Sequence, residues 1–387
     1  MSRDDDLPGA PRDAVRRELL RAVSVAALAG AAAPRGEGAS GSGAGAAPRL
    51  GRAWELPPPY GAGSLRQVRV PVPAPGRGEV LVRVRATGIN ARDLTIIKGS
   101  FRQKPVPPGF VPLSDNAGDV VAVGEGVAGV APGDRVLCIH YPTWEDGRWH
   151  ISRADLDLGA SAPGFLRDYA TVPATGLVRL PSTLTYREAC TLPVAGVTAW
   201  RALREIANLA PGETMLTLGT GGVSVFGLQV AKMLGARVAI TSSSDDKLAR
   251  MRELGADFTV NYRSNPRWGL EVLERTGGVD VVMDNAGPSS LDQTLAACAS
   301  AARVVFIGMV GGFAQTAALP QMMMRGLGIT SMSNASRRSM QDFVRAIDAN
   351  GLKPLVGRVF GFDEAPEAFR YFGESADRIG NIVIEVA

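Results

Sequence analysis

Six consecutive residues have the type and spacing to hold an anion. Gly219-Thr220-Gly221-Gly222-Val223-Ser224 follows a short apolar run, 214–218, and opens a stretch with helical spacing, 223–234. A glycine turn between a strand and a helix suits the pyrophosphate of a dinucleotide. Gly219 makes the tight turn, Gly221 lets the backbone approach the anion, and the helix N-terminus stabilises its charge. Ser224 takes the third small position, where close helix–strand packing is still possible. Thr220, Gly222 and Val223 complete the loop, and Gly308, at the end of a later strand run, is assigned to the same cofactor site. No Gly-Lys-Ser/Thr follows, so a Walker-type phosphate loop is excluded. The competing reading is a glycine-rich turn that holds no ligand.

The end of the next strand selects the cofactor. An NAD site places Asp or Glu there, about 20 residues after the first glycine, to accept the ribose 2′-hydroxyl proton. Here the place holds Ser242, Ser243 and Ser244, with Lys247 one short turn later. A carboxylate repels a 2′-phosphate, whereas hydroxyls and a cation bind it. The pattern therefore predicts NADPH. Against it stand two alternatives: the serines only cap a helix while Lys247 is a surface residue, or Asp245 and Asp246 serve the ribose.

These residues need a scaffold. Strand-like runs at 237–241, 279–284 and 303–308 alternate with helical runs at 246–254 and 290–300, which predicts βαβ units and a parallel sheet. Helical character is also expected at 188–190 and 196–206. Upstream, 79–85, 119–124 and 134–138 read as short strands among Pro/Gly turns, and 140–164 as a long loop carrying Tyr141, Trp144 and Trp149. Downstream lie helices at 340–350 and 365–372 and a last strand, 381–386. The fold class is α/β, a β-rich module joined to a doubly wound sheet.

Composition removes other classes. In 387 residues, 45% are hydrophobic and 21% charged, a globular balance and enough for about two to three domains of roughly 150 residues. The net charge is +4, with 37 arginines and five lysines scattered along the chain, and aromatics are only 6%, so nucleic acid is not an expected partner. Cys138, Cys190 and Cys298 lie far apart, which excludes a disulfide framework and a Cys-rich zinc site. Two histidines, His140 and His150, argue against any mechanism that needs several. No apolar run approaches the ~18–20 residues of a membrane span. Residues 1–51 read as a disordered extension, whose Gly/Ala/Ser tract up to Ala47 has no large apolar residues to bury. Arg16-Arg17, a 12-residue apolar run and Ala31-Ala32-Ala33 look like a twin-arginine export signal within 1–33. The other reading is an alanine-rich tail on a cytoplasmic protein.

An ordered set of motifs links these parts: Gly88-Ile89-Asn90-Ala91-Arg92-Asp93, Gly124-Glu125-Gly126-Val127, Pro132-Gly133-Asp134-Arg135-Val136, Thr198-Ala199-Trp200, Gln229-Val230-Ala231-Lys232 and Leu254-Gly255-Ala256-Asp257. The set resembles the medium-chain dehydrogenase/reductase superfamily, in its zinc-independent alcohol dehydrogenase and quinone oxidoreductase branch. The resemblance implies a GroES-like catalytic domain, 52–189 and 333–387, and a Rossmann NADPH-binding domain, 190–332. It places Asn90 beside the nicotinamide, Thr198 near its ribose, and Lys247 and Tyr262 at the 2′-phosphate, helped by Arg263. For Asn90 a helix cap, for Thr198 a bond to its own backbone, and for Tyr262 ordinary packing remain open.

Departures from the family shape the expected chemistry. Zinc members carry Cys, His-Glu and a third ligand where this chain has Asn90, Ser114-Asp115 and Val194, so no zinc is expected. Enoyl-thioester reductases use a Tyr where this chain has Phe101, which has no proton to give. The family's glycine-lysine near the last strand reads Gly380-Asn381. The expected activity is NADPH-dependent hydride transfer to a small molecule, either a carbonyl or an activated C=C of the quinone, enone or aldehyde/ketone class. The alternative is a crystallin-like or regulatory protein that binds NADPH without turnover. Asn90, Ser114 and Asp115 are the catalytic candidates, and the proton donor lies among Ser114, Asp115, Tyr141 and His140. A homodimer is expected through the strand at 326–332, an edge that needs pairing unless the helix at 340–350 covers it.

Overall fold

The computed structural model describes residues 49–101, 104–107, 109–308 and 319–386. The expected export signal and most of the expected disordered extension lie outside the described residues. The last residues assigned to that extension are ordered. β1 (Leu50–Glu55) already pairs with β2 (Arg66–Pro71), because Ala53 and Trp54 have a core to enter.

One sheet has seven strands. Its centre is β3 (Glu79–Ile89), longer than its alternating pattern suggested and followed by the short helix α1 (Ala91–Ile96). β4 (Ala117–Val123), β5 (Arg135–Cys138), β6 (Tyr169–Pro173) and β7 (Leu177–Arg179) follow in the chain. β3 pairs antiparallel with β4 and β6, and on its other part with the last strand of the chain. The sheet is thus closed by distant sequence.

The expected helices at 188–190 and 196–206 form one nearly continuous helical run, from α2 (Tyr186–Ala189) through α3 (Val197–Trp200) to Ile206. Two wide π turns, Leu192–Gly196 and Arg201–Ile206, interrupt its regular pitch. Pro193 has no N–H to give the i−4 carbonyl, and the first wide turn absorbs that loss.

The second sheet has six parallel strands. In chain order its elements are β8 (Thr214–Leu218), α4 (Gly222–Met233), β9 (Arg237–Ser242), α5 (Asp245–Glu253), β10 (Phe258–Asn261) and α6 (Trp268–Thr276). After them come β11 (Val279–Asp284), α7 (Leu291–Ala297), β12 (Cys298–Phe306), α8 (Leu319–Arg325) and β13 (Gly328–Ser331). The spatial order is β10-β9-β8-β11-β12-β13. The order reverses between β8 and β11, the place where doubly wound sheets open a ligand crevice. All five residues of β8 are buried, as a strand covered on both faces must be. α4 lies close to the sheet because Gly227 has no side chain: a Cβ there would stand 2.9 Å from the Met283 sulfur.

α7 stops three residues before the predicted 300. Val279 pairs with Cys298 but Val281 pairs with Arg303, so 299–302 bulge out of the ladder, with Ala301 at φ 61°. The small residues there satisfy helix propensity, and the parallel pairing overrides it.

α9 (Arg337–Asn350), β14 (Val356–Gly361), α10 (Ala365–Glu374) and β15 (Asn381–Glu385) return the chain to the first sheet. α9 buries Met340, Phe343 and Ile347, with Phe343 stacked 5.5 Å from Trp200 of α3. Its apolar face is therefore taken up by α3 rather than by the edge strand β13, which pairs with β12 and with no other described strand. No described helix is long and apolar enough to cross a membrane.

Candidate functional site

The two sheets flank a cleft of about 1680 Å³. The glycine turn forms part of its wall: Gly219, Thr220, Gly221, Gly222 and Val223 all face it. Gly219 has φ 78°, which a side chain resists, and the space where a Cβ would stand at Gly219 or Gly221 is open. The backbone is thus bare where an anion would approach. Ser224 is buried and ties three elements: its hydroxyl donates to Leu218 O at 2.8 Å and accepts from Asn285 Nδ2 at 2.8 Å. Gly380 N donates to Thr220 O at 2.9 Å, so the chain's last segment is pinned to the turn. A Cβ at Gly222 would lie 2.2 Å from Asn381 Oδ1. Asn381, where the family's lysine is missing, is the reason that position has to be glycine.

At one end of the cleft Ser242, Ser243, Lys247 and Tyr262 come together. The Ser242 hydroxyl is buried without a partner, an acceptor and donor that a ligand oxygen would satisfy. Ser244 caps α5, so one of the three serines serves the helix and two face the cleft. Asp245 is engaged by Asn261 Nδ2 at 3.0 Å. Lys247 Nζ donates to Ala376 O at 2.6 Å. Burial pushes the Lys247 ammonium down from its usual value, and the like charges of Arg378 and Arg263 add to this while Asp377 opposes it. Three cations thus converge where the sequence offered two. Arg378 lines the cleft and was missed; it sits in the loop after α10, two residues before Gly380, far from the glycine turn in sequence. Arg263 does not line the cleft, and acts on it only through its charge.

A second group on the cleft wall is Asn90, Thr198, His140 and Tyr141, and Gly308 also lines the cleft. Asn90 is the N-cap residue of α1, and its backbone N–H donates to Asp93 Oδ2 at 2.7 Å. Its side-chain amide turns away from that role and donates to Asp115 Oδ2 at 2.7 Å. Asp115 Oδ1 accepts the Val194 N–H at 2.9 Å, from the first wide turn of the helical run. Thr198 receives a long contact from Asn334 Nδ2 at 3.5 Å.

Two catalytic candidates are not on the cleft wall. Ser114 and Asp115 are buried behind it, because β3, α1 and the helical run close over them. Burial pushes the Asp115 carboxyl well up, while the Asn90 amide opposes the shift. Asp93 beside it is raised to about 7, again by burial, with Arg92 and the Asn90 N–H opposing. Among the described residues that line the cleft there is no Asp or Glu, and the charged ones are Arg92, Lys247 and Arg378.

Comparison with known proteins decides the family. Residues 76–182 match the alcohol dehydrogenase GroES-like domain, and residues 222–349 match the zinc-binding dehydrogenase domain. A zinc-type alcohol dehydrogenase-like protein of Schizosaccharomyces pombe is 38% identical over 80% of this chain and 91% of its own. The chain belongs to the medium-chain dehydrogenase/reductase superfamily. A quinone oxidoreductase of Rattus norvegicus is 28% identical over 82% of this chain and 92% of its own. Among solved structures, an NAD-dependent alcohol dehydrogenase superposes with TM-score 0.79 and 34% identity, covering 87% of this chain and all of that one. Members of the superfamily are oxidoreductases that use nicotinamide cofactors, and the cleft between the GroES-like and parallel-sheet parts is where this chain presents its glycine turn.

Proposed function

We propose that the protein is an NADPH-dependent reductase that works without catalytic zinc and delivers hydride to a polarised carbonyl or an activated C=C of a small molecule. The observation that carries the cofactor choice is the end of the cleft around Ser242, where Lys247, Arg378 and the nearby Arg263 gather and no described carboxylate lines the wall. A 2′-phosphate would relieve the mutual repulsion of these cations, whereas a plain ribose would not. This runs against the NAD preference in the name of one solved relative. Bound there, NADPH would supply a hydride, which carries two electrons. Gly219–Gly222 would hold the pyrophosphate against bare backbone, Ser242 and Tyr262 would join the cations at the phosphate, and Thr198 would face the nicotinamide ribose. Asn90, its amide plane fixed by Asp115, would face the nicotinamide.

The residues at the zinc-ligand positions do not suit a metal. Both Asp115 oxygens are engaged, by the Asn90 amide nitrogen and by Val194 N–H, and valine offers no ligand. We assign residues 52–189 and 333–387 to a catalytic domain and 190–332 to a cofactor domain, placed in the cytoplasm. Two copies would pair through the outer strand β13, beside which Met323 and Met324 are more than four-fifths exposed. Quinone oxidoreductase among the relatives supports the quinone and enone class.

The test is fluorescence titration with NADPH and NADH, then NADPH oxidation with a panel of quinones, enones and aldehydes, with metal content measured on the same sample. Preference for NADPH, turnover with one substrate class and less than stoichiometric zinc are expected. Equal affinity for both cofactors, or about one zinc per chain, refutes the corresponding part. Tight NADPH binding without any turnover would favour a non-catalytic binding protein.

A further inference from the structure

A carbonyl reduced by hydride must also receive a proton, and the side chains at the Asn90 end differ in their ability to give one. Phe101 has none. Asp93 and Asp115 lie behind the wall. Arg92 stays charged at any working pH, and the alkyl hydroxyls of Thr95 and Thr198 are very weak acids. Among the described residues lining this end, His140 and Tyr141 remain.

The surroundings of Tyr141 favour it. Tyr141 follows β5 in a tight turn, its carbonyl accepting Trp144 N–H at 2.9 Å. It is 2% exposed, and its ring packs against His140, 4.1 Å away, and Trp149, 5.1 Å away. Trp149 packs in turn on Trp144 at 4.9 Å, beneath the Arg201 guanidinium. The Tyr141 ring is thus held by aromatic neighbours where it lines the cleft. Arg92, two residues after Asn90, lies within electrostatic reach of the Tyr141 hydroxyl. Arg92 is itself fixed, donating to Asp157 Oδ1 at 2.8 Å and lying 4.8 Å from the Phe101 ring. A phenolate formed at Tyr141 would find this buried cation already in place, as a proton donor requires of its surroundings.

We propose that the Tyr141 hydroxyl is the proton donor of the reduction, its ring held by His140 and Trp149 and its phenolate supported after proton loss by the Arg92 guanidinium. The assignment rests on the reductase reading above. As hydride from the reduced nicotinamide reaches the electrophilic carbon, the π pair of the carbonyl moves to its oxygen. That oxygen forms an O–H bond with the Tyr141 proton as the phenolic O–H breaks. Solvent then reprotonates the phenolate. The substrate gains two electrons, the nicotinamide loses two, and Tyr141 is restored.

Tyr141→Phe keeps the ring and removes only the hydroxyl. With the substrate class that the wild type turns over, kcat should fall at least 100-fold. NADPH affinity, read by fluorescence, and the melting temperature should stay at wild-type values. Retention of kcat within threefold overturns the assignment. So does a loss of kcat matched by loss of NADPH affinity or of melting temperature, since that makes Tyr141 a packing residue. A wild type that oxidises NADPH with no member of the panel overturns the reductase reading and this proposal with it.

Discussion

Lys247→Ala isolates the charge that would read a 2′-phosphate. The ammonium is half-buried and held by Ala376 O at 2.6 Å, with Arg378 and Arg263 close enough to disfavour its charge. Two unit charges 4 Å apart attract by about 4 kcal/mol at the effective dielectric of a protein surface. Solvent screening and competition from the Ala376 carbonyl reduce this, leaving about 1.5–3 kcal/mol for one charge-assisted contact. That corresponds to roughly ten- to a hundredfold in affinity. Arg378 and Arg263 remain in the variant, so some preference should survive. Fluorescence titration of wild type and variant with NADPH and NADH gives the ratio directly. NADPH should weaken by the stated factor and NADH by less than threefold. Equal weakening of both would mean that Lys247 acts through the 375–380 loop alone, and an unchanged ratio would place the phosphate elsewhere; either outcome refutes the reasoning.

Other perturbations test the scaffold. Asp93→Asn should flatten part of the stability profile. The folded value of about 7 lies above the unfolded carboxyl value near 3.9, so the Asp93 contribution is complete below about pH 4 and is lost as pH rises to about 7, at up to about 1.4 kcal/mol per pH unit. Urea midpoints for the two proteins should diverge across that window, and parallel profiles would show that Asp93 does not titrate there. Gly222→Ala drives a Cβ to 2.2 Å from Asn381 Oδ1, so about 1–3 kcal/mol of stability and much of the NADPH affinity should go; calorimetry and titration that show neither loss would contradict the close packing. Met332 N donates to Phe306 O at 3.1 Å, so by alternation along β13 the Ile329 N–H points away from β12. Ile329→Pro should therefore spare the sheet and break the proposed dimer in light scattering, and a variant that stays dimeric would put the interface elsewhere.

The local parts of this protein were legible in its sequence. Glycines at 219 and 221, an apolar β8 and the helical spacing of α4 specify strand, turn and helix through interactions between near neighbours, and the structure has them with ends moved by a residue or two. The alternation of β and α runs was enough for a parallel sheet, and the ordered motifs for the superfamily. What failed locally did so where a distant partner intervened. The ladder to β11 shortens α7, and a core for Ala53 and Trp54 orders residues assigned to a tail.

The candidate site shows the same division. Sequence supplied the residue types: serines instead of an acid after β9, Asn90 instead of a zinc-binding cysteine, Phe101 instead of a tyrosine. It did not show which side chains reach the cleft. Asp115 and Ser114 looked available, yet packing of β3, α1 and the helical run hides them, and burial changes what the Asp115 carboxyl can do. Arg378 was not singled out, yet the last loop folds back onto the glycine turn and brings it near Lys247. Backbone propensities and apolar periodicity act over a few residues, so one chain segment carries them. Desolvation and the meeting of like charges depend on which segments are packed together, and only the tertiary structure decides that.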